Sequence, residues 1–67
     1  MNENDMSSLF ERIHNRTGDV AAQCNIYHND GFSVDHNSRL EWINSVKIDL
    51  ARLTNAISAY DNAVNSL

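Results

Sequence analysis

The sequence predicts an all-α antiparallel helical hairpin, and three observations carry that reading. Apolar residues recur at alternating spacings of three and four in both halves of the chain, Asn29-Asp30-Gly31 interrupts them near the middle, and proline is absent. Spacings of three and four keep side chains on one face of a helix, whereas a strand would show period two.

In the first half the recurring positions are Met6, Phe10, Ile13, Thr17, Val20, Cys24 and Tyr27, six of the seven apolar. Ser8-Leu9-Phe10-Glu11 has the form of a capping box, in which a serine hydroxyl accepts from the amide three residues on while the glutamate reaches back. Asp5 or Ser7 would cap as well, so the helix is expected over about 6–27. Thr17-Gly18 is its weak point, because glycine in a helix interior costs about 1 kcal/mol relative to alanine. Local tolerance is the plain reading of that glycine, and a kink that lets something approach the backbone is the sharper one.

The connection, about 28–37, contains the turn residues Asn29, Asp30 and Gly31, and glycine supplies the positive φ that ends many helices. So short a link makes the helices antiparallel neighbours. Phe32 and Val34 are expected to fold over the open end against Tyr27, Leu40 or Trp42.

The second helix is expected over about 38–66. Ser38-Arg39-Leu40-Glu41 is another capping box, with Ser33 or Asp35 as the cap of an earlier turn. Its seam runs Ile43, Val46, Leu50, Leu53, Ile57, Tyr60, Val64 and Leu67 without a break. A 3.5-residue repeat of this kind packs as a left-handed coiled-coil seam, so these residues are assigned to the hairpin seam and to self-association. Trp42, Ala56 and Ala63 border the seam and Ile48 lies outside it. All four are assigned to a partner, and alanine as a good helix former is the plainer account of Ala56 and Ala63.

Length makes external support part of the expectation. A chain of 67 residues forms one domain, and below ~70 to 80 residues a single core rarely supplies more than ~3 to 5 kcal/mol. The single cysteine, Cys24, rules out an intramolecular disulfide and is read as a small buried seam residue. Dimerisation into a four-helix bundle or coiled-coil assembly is therefore expected. The opening residues carry no secretory leader pattern and no apolar run approaches the ~18 residues of a membrane span, so a cytoplasmic location without membrane contact is expected. The sequon Asn15-Arg16-Thr17 is then incidental. Ten asparagines hint at an AT-rich source such as a phage or mobile element.

The candidate chemistry is thin. Cys24, His28, Asp30, Asp35 and His36 are metal-ligating types, but one Cys-x3-His is not the paired spacing of a structural zinc site, and no metal or cofactor is expected. An EF-hand built on Gly31 fails because Asn37 stands where the bidentate glutamate belongs. Cys24, His28 and Asp35 as a nucleophilic set lack an enclosing scaffold, and His14 reads as solvent-facing, so no enzyme is expected. Nine acids against five bases give a net charge of −4, the wrong sign for direct nucleic-acid binding. Arg12 and Arg16, flanked by Glu11 and Asp19, read as a mixed solvated face.

The expected function is a small non-enzymatic protein-binding module, adaptor, inhibitor or chaperone-like, acting through an exposed apolar helix face. The alternatives are a structural coiled-coil oligomer and an acidic inhibitor, or DNA mimic, of a nucleic-acid-binding protein. In architecture alone this is similar to small helical-hairpin secretion chaperones and compact phage-encoded inhibitors, with no motif that ties it to either.

Overall fold

A computed structural model describes residues 3–29 and 35–66 of the chain, which form two α-helices, α1 (Glu3–Asn29) and α2 (His36–Asn65), packed against each other as a hairpin. Both helices are longer than the capping boxes suggest. At α2 the reason is Asp35, whose extended backbone (φ −109°, ψ 165°) makes it the N-cap. Its Oδ1 accepts the Ser38 amide at 2.7 Å, so Ser38 lies within the first turn instead of starting it. The Ser38 hydrogen bonds, backbone first, hold the Asp35 carboxyl below its ordinary value of 3.8. A depressed carboxyl contributes stability above its unfolded pKa, and that contribution disappears as the pH falls through the lowered folded value. The C-terminal end closes on Ser66, whose amide donates to the Asn62 and Ala63 carbonyls at 3.1 and 3.2 Å and whose hydroxyl donates to Asn62 O at 2.8 Å. Asp30, Gly31, Phe32, Ser33, Val34 and Leu67, and with them the expected turn chemistry, lie outside the described residues.

Gly18 does not break α1. A Cβ built there meets nothing within 4 Å, so the site is an ordinary solvent-facing helical position and not a point of close approach among the described residues. Gly18→Ala is accordingly expected to stabilise the protein by about 0.5 to 1 kcal/mol, read as a higher urea midpoint at unchanged slope. An unchanged or lower midpoint would mean that the site is not what it is here. One position earlier, Thr17 returns its hydroxyl to the Ile13 carbonyl at 2.8 Å, which satisfies its polar atom within the helix.

The helices meet along lines that differ from the expected seam. From α1 come Met6, Ile13 and Val20 with Leu9, Arg16 and Gln23, all half-buried. From α2 come Trp42, Asp49, Ala56 and Ala63 with Val46, Leu53 and Tyr60, and here Ala56 is 1% and Ala63 3% exposed. Val46, Leu53 and Tyr60 belong to both the expected and the observed seam. Ile43, Leu50, Ile57 and Val64 do not: they turn outward, as do Phe10, Thr17 and Cys24 on α1. Two physical causes fix this rotation. Small residues on α2 let the backbones approach while bulkier α1 side chains fill the space. Polar contacts then hold it, since the Trp42 indole N–H donates to the Gln23 carbonyl at 3.1 Å and Gln23 Nε2 donates to Asp49 Oδ2 at 3.0 Å.

The result is a slab one helix layer thick, 49 × 17 × 10 Å, with a radius of gyration of 15.4 Å. A compact chain of this length would have a radius of gyration of about 11 Å. No large side chain is fully buried among the described residues. Both broad sides of the slab are open, and they differ in chemistry.

Candidate functional site

The apolar broad side is built from one line of each helix. Residues seven apart fall on nearly the same face, so Ile43, Leu50, Ile57 and Val64 form a single row on α2 that spans roughly 31 Å at ~1.5 Å per residue. Phe10, Thr17 and Cys24 form the matching row on α1. In an antiparallel pair whose buried lines face like with like, the flanking rows emerge on the same broad side, and Gln23 opposite Asp49 establishes that pairing. The Phe10 and Tyr60 rings meet across the hairpin with centroids 6.2 Å apart at an interplanar angle of 64°, an edge-on contact. Beside them Met6, Ser7, Phe10, Glu11 and Tyr60 line an open groove of about 300 Å³.

The exposed large apolar residues Phe10, Leu40, Ile43, Leu50, Ile57 and Val64 gather on this side and retain between 40% and 56% of their surface. Charge is sparse among them, with exposed Lys47 and Asp61 along the outer edge of α2 and Glu11 and His14 on α1. The opposite broad side carries Arg12, Asp19, Glu41 and Arg52, and among the described residues its exposed large apolar side chain is Ile48 at 54%. Single exposed apolar residues are ordinary on protein surfaces, whereas a contiguous row of them marks a contact.

Three of the four residues assigned to a partner are therefore placed differently from expectation. Ala56 and Ala63 are enclosed between the helices and offer no docking surface, and Trp42 is half-buried with its indole N–H on the Gln23 carbonyl. Ile48 is exposed but isolated. Within the expected self-association seam, Ile43, Leu50, Ile57 and Val64 are the outward row, and Val46, Leu53 and Tyr60 pack within the hairpin. Cys24, expected to be buried, is an exposed free thiol because it lies on the outward row. Leu9 is half-buried in the interface, and Arg16 is half-buried with its guanidinium 3.3 Å from Asp19.

One polar cluster escaped the hydropathy pattern. Buried Asp49 accepts from Gln23, and Arg52 NH1 stands 3.7 Å from its other oxygen. A polar layer inside a helix pair fixes register and rotation at some expense of stability. The interruption of the Trp42–Ala56–Ala63 row by a carboxylate was the available signal. Of the metal-ligating set, Asp35 serves as the helix cap and His36 is exposed in the first turn. Asp30 lies outside the described residues, and among those residues no three His, Cys, Asp or Glu gather as a metal site would require. Among the described residues, no helix is long and apolar enough to cross a membrane.

No family model matches the chain, and no curated protein or solved structure is significantly similar to it.

Proposed function

We propose that the chain is a small non-enzymatic protein-binding module that holds an amphipathic helix against the broad side formed by Ile43, Leu50, Ile57, Val64 and Phe10. The observation that carries this reading is the heptad-spaced outward row, four aliphatic residues left exposed after the hairpin has made its own contacts. Aliphatic side chains at this spacing are what a docking helix engages through its own residues at three- and four-residue intervals. An adaptor, an inhibitor and a chaperone would all use the surface in this way. A scaffolding role in a larger coiled-coil assembly is the second reading, favoured by the same row because seven-residue spacing suits knobs-into-holes packing.

The test compares two tagged variants with the wild-type chain in capture from cells of the native host. Leu50→Glu with Ile57→Glu charges the apolar side, and Ile48→Glu charges the other. Proteins retained by wild type and by Ile48→Glu, but lost with the double variant, would agree with the reading. Retention that is indifferent to the double variant would overturn it. Retention should also persist from about 0.1 to 0.5 M salt, since apolar docking is not screened as an acidic mimic of nucleic acid would be.

A further inference from the structure

We infer that the occupant of the apolar side is a second copy of this chain, related by a two-fold axis that crosses both helices at right angles near Thr17 and Thr54. The inference rests on the protein-binding reading above and names its partner. Three observations point the same way.

The first is area. The chain exposes 5010 Å², whereas a compact monomer of 7.6 kDa exposes about 4300 Å². The excess, roughly 700 Å², is close to the ~800 Å² that each partner contributes to a standard interface. A slab 10 Å thick with one apolar side becomes a two-layer bundle when that side meets its own copy.

The second is the position of the midpoints. A perpendicular two-fold axis sets each helix antiparallel to its copy and pairs residues equally far on either side of the axis. The α2 row is centred between Leu50 and Ile57, so Leu50 meets Ile57 of the second copy and Ile43 meets Val64. The α1 row is centred on Thr17, so Phe10 meets Cys24 and Thr17 meets itself. These two midpoints lie at the same level of the hairpin, because Phe10 stands opposite Tyr60 and Gln23 opposite Asp49. One axis therefore serves both helices. Thr17 is suited to that axis, since its hydroxyl is already bonded to the Ile13 carbonyl and its methyl group remains for the contact.

Charge supplies the third. Lys47 and Asp61 both lie on the outer edge of α2 beside the apolar row, and they are placed symmetrically about residue 54. The same axis brings Lys47 to Asp61 of the second copy twice, and like charges to each other nowhere along that edge. Opposed charges at such flanking positions select partner and orientation.

The test uses the full chain and three readouts. Light scattering after size exclusion should give about twice 7.6 kDa at micromolar concentration. In a Cys24→Ser background, Thr17→Cys should form a disulfide-linked dimer under mild oxidation, because the axis places the two copies of residue 17 together. The wild-type thiol should not, because Cys24 and its copy are about 21 Å apart along the bundle at ~1.5 Å per residue. Lys47→Glu alone should weaken the dimer by about tenfold, and Lys47→Glu with Asp61→Lys should restore it to within about threefold of wild type. A wild-type monomer at 100 μM would overturn the inference, and it would leave the protein-binding reading standing if the face variants still lose a different captured protein. A dimer in which Thr17→Cys fails to cross-link and the charge exchange fails to restore affinity would overturn the inference by assigning the contact to another surface. None of the three readouts requires a variant that empties the core, so misfolding does not obscure the answer.

Discussion

Trp42→Ala is expected to lower the stability of the protein by about 3 kcal/mol, most of what a core of this size supplies. Trp42 heads the inner row of α2, half-buried against α1, and its indole N–H donates to the Gln23 carbonyl at 3.1 Å. Truncation removes the largest apolar side chain at the loop end of the interface and the hydrogen bond that fixes the rotation of α2 there. Trp42→Phe separates the two effects: it keeps most of the apolar surface, loses the donor, and should cost about 1 kcal/mol. Thermal and urea unfolding followed by circular dichroism give both values. The indole should also be partly shielded from an aqueous quencher, with emission that does not change on dilution through dimer dissociation, because it does not line the outward row. A Trp42→Ala protein as stable as wild type, or an indole whose emission follows dilution, would place this residue on a docking surface instead.

The hairpin was legible in the sequence because it depends on period, which single residues report well. Spacings of three and four distinguish helix from strand, and one cluster of turn residues divides the chain. Which line of α2 faces α1 was not legible in the same way. The row Ile43–Leu50–Ile57–Val64 is more apolar than Trp42–Asp49–Ala56–Ala63, and the two rows are adjacent on the helix, with Val46, Leu53 and Tyr60 shared by either choice. Hydropathy therefore favours the wrong row. The structure selects the other because close approach needs small side chains and because Gln23 reaches both Asp49 and, through its carbonyl, Trp42. These are pairwise facts, absent from the period of either helix taken alone. Asp35 illustrates the same limit at a terminus, since three residues could cap α2 and only the backbone conformation distinguishes them. The candidate site followed the same rotation: of the residues assigned to a partner, Trp42, Ala56 and Ala63 turn toward α1 while Ile48 stays exposed, and Ile43, Leu50, Ile57 and Val64, assigned to the hairpin seam and to self-association, form the exposed row.

Ala56→Leu is expected to destabilise the protein by about 1 to 3 kcal/mol, the usual effect of forcing extra methylene and methyl groups into a packed contact. Ala56 is 1% exposed at the centre of the interface, and α1 runs past it on the level of half-buried Arg16, with half-buried Leu53 one turn earlier on α2. A leucine there must push the helices apart, which strains the Gln23–Asp49 hydrogen bond two turns away, or rotate α2 away from α1. Leu50→Ala gives the contrasting result. Leu50 is 46% exposed in the hairpin, so truncation within a single chain removes little buried surface. If the outward row meets a second copy, each dimer loses two leucines from its centre, and the loss appears as a lower melting temperature at high protein concentration that fades on dilution to where the wild type is also monomeric. The Ala56→Leu deficit, by comparison, belongs to the hairpin and should persist at every concentration. Unfolding both variants across a hundredfold concentration range separates these behaviours. Were the seam to run through Leu50 and Ile57, the results would be exchanged: Leu50→Ala would cost ~2 to 5 kcal/mol at all concentrations, and Ala56→Leu would be nearly neutral. That outcome would return α2 to the rotation its hydropathy favours and remove the outward row.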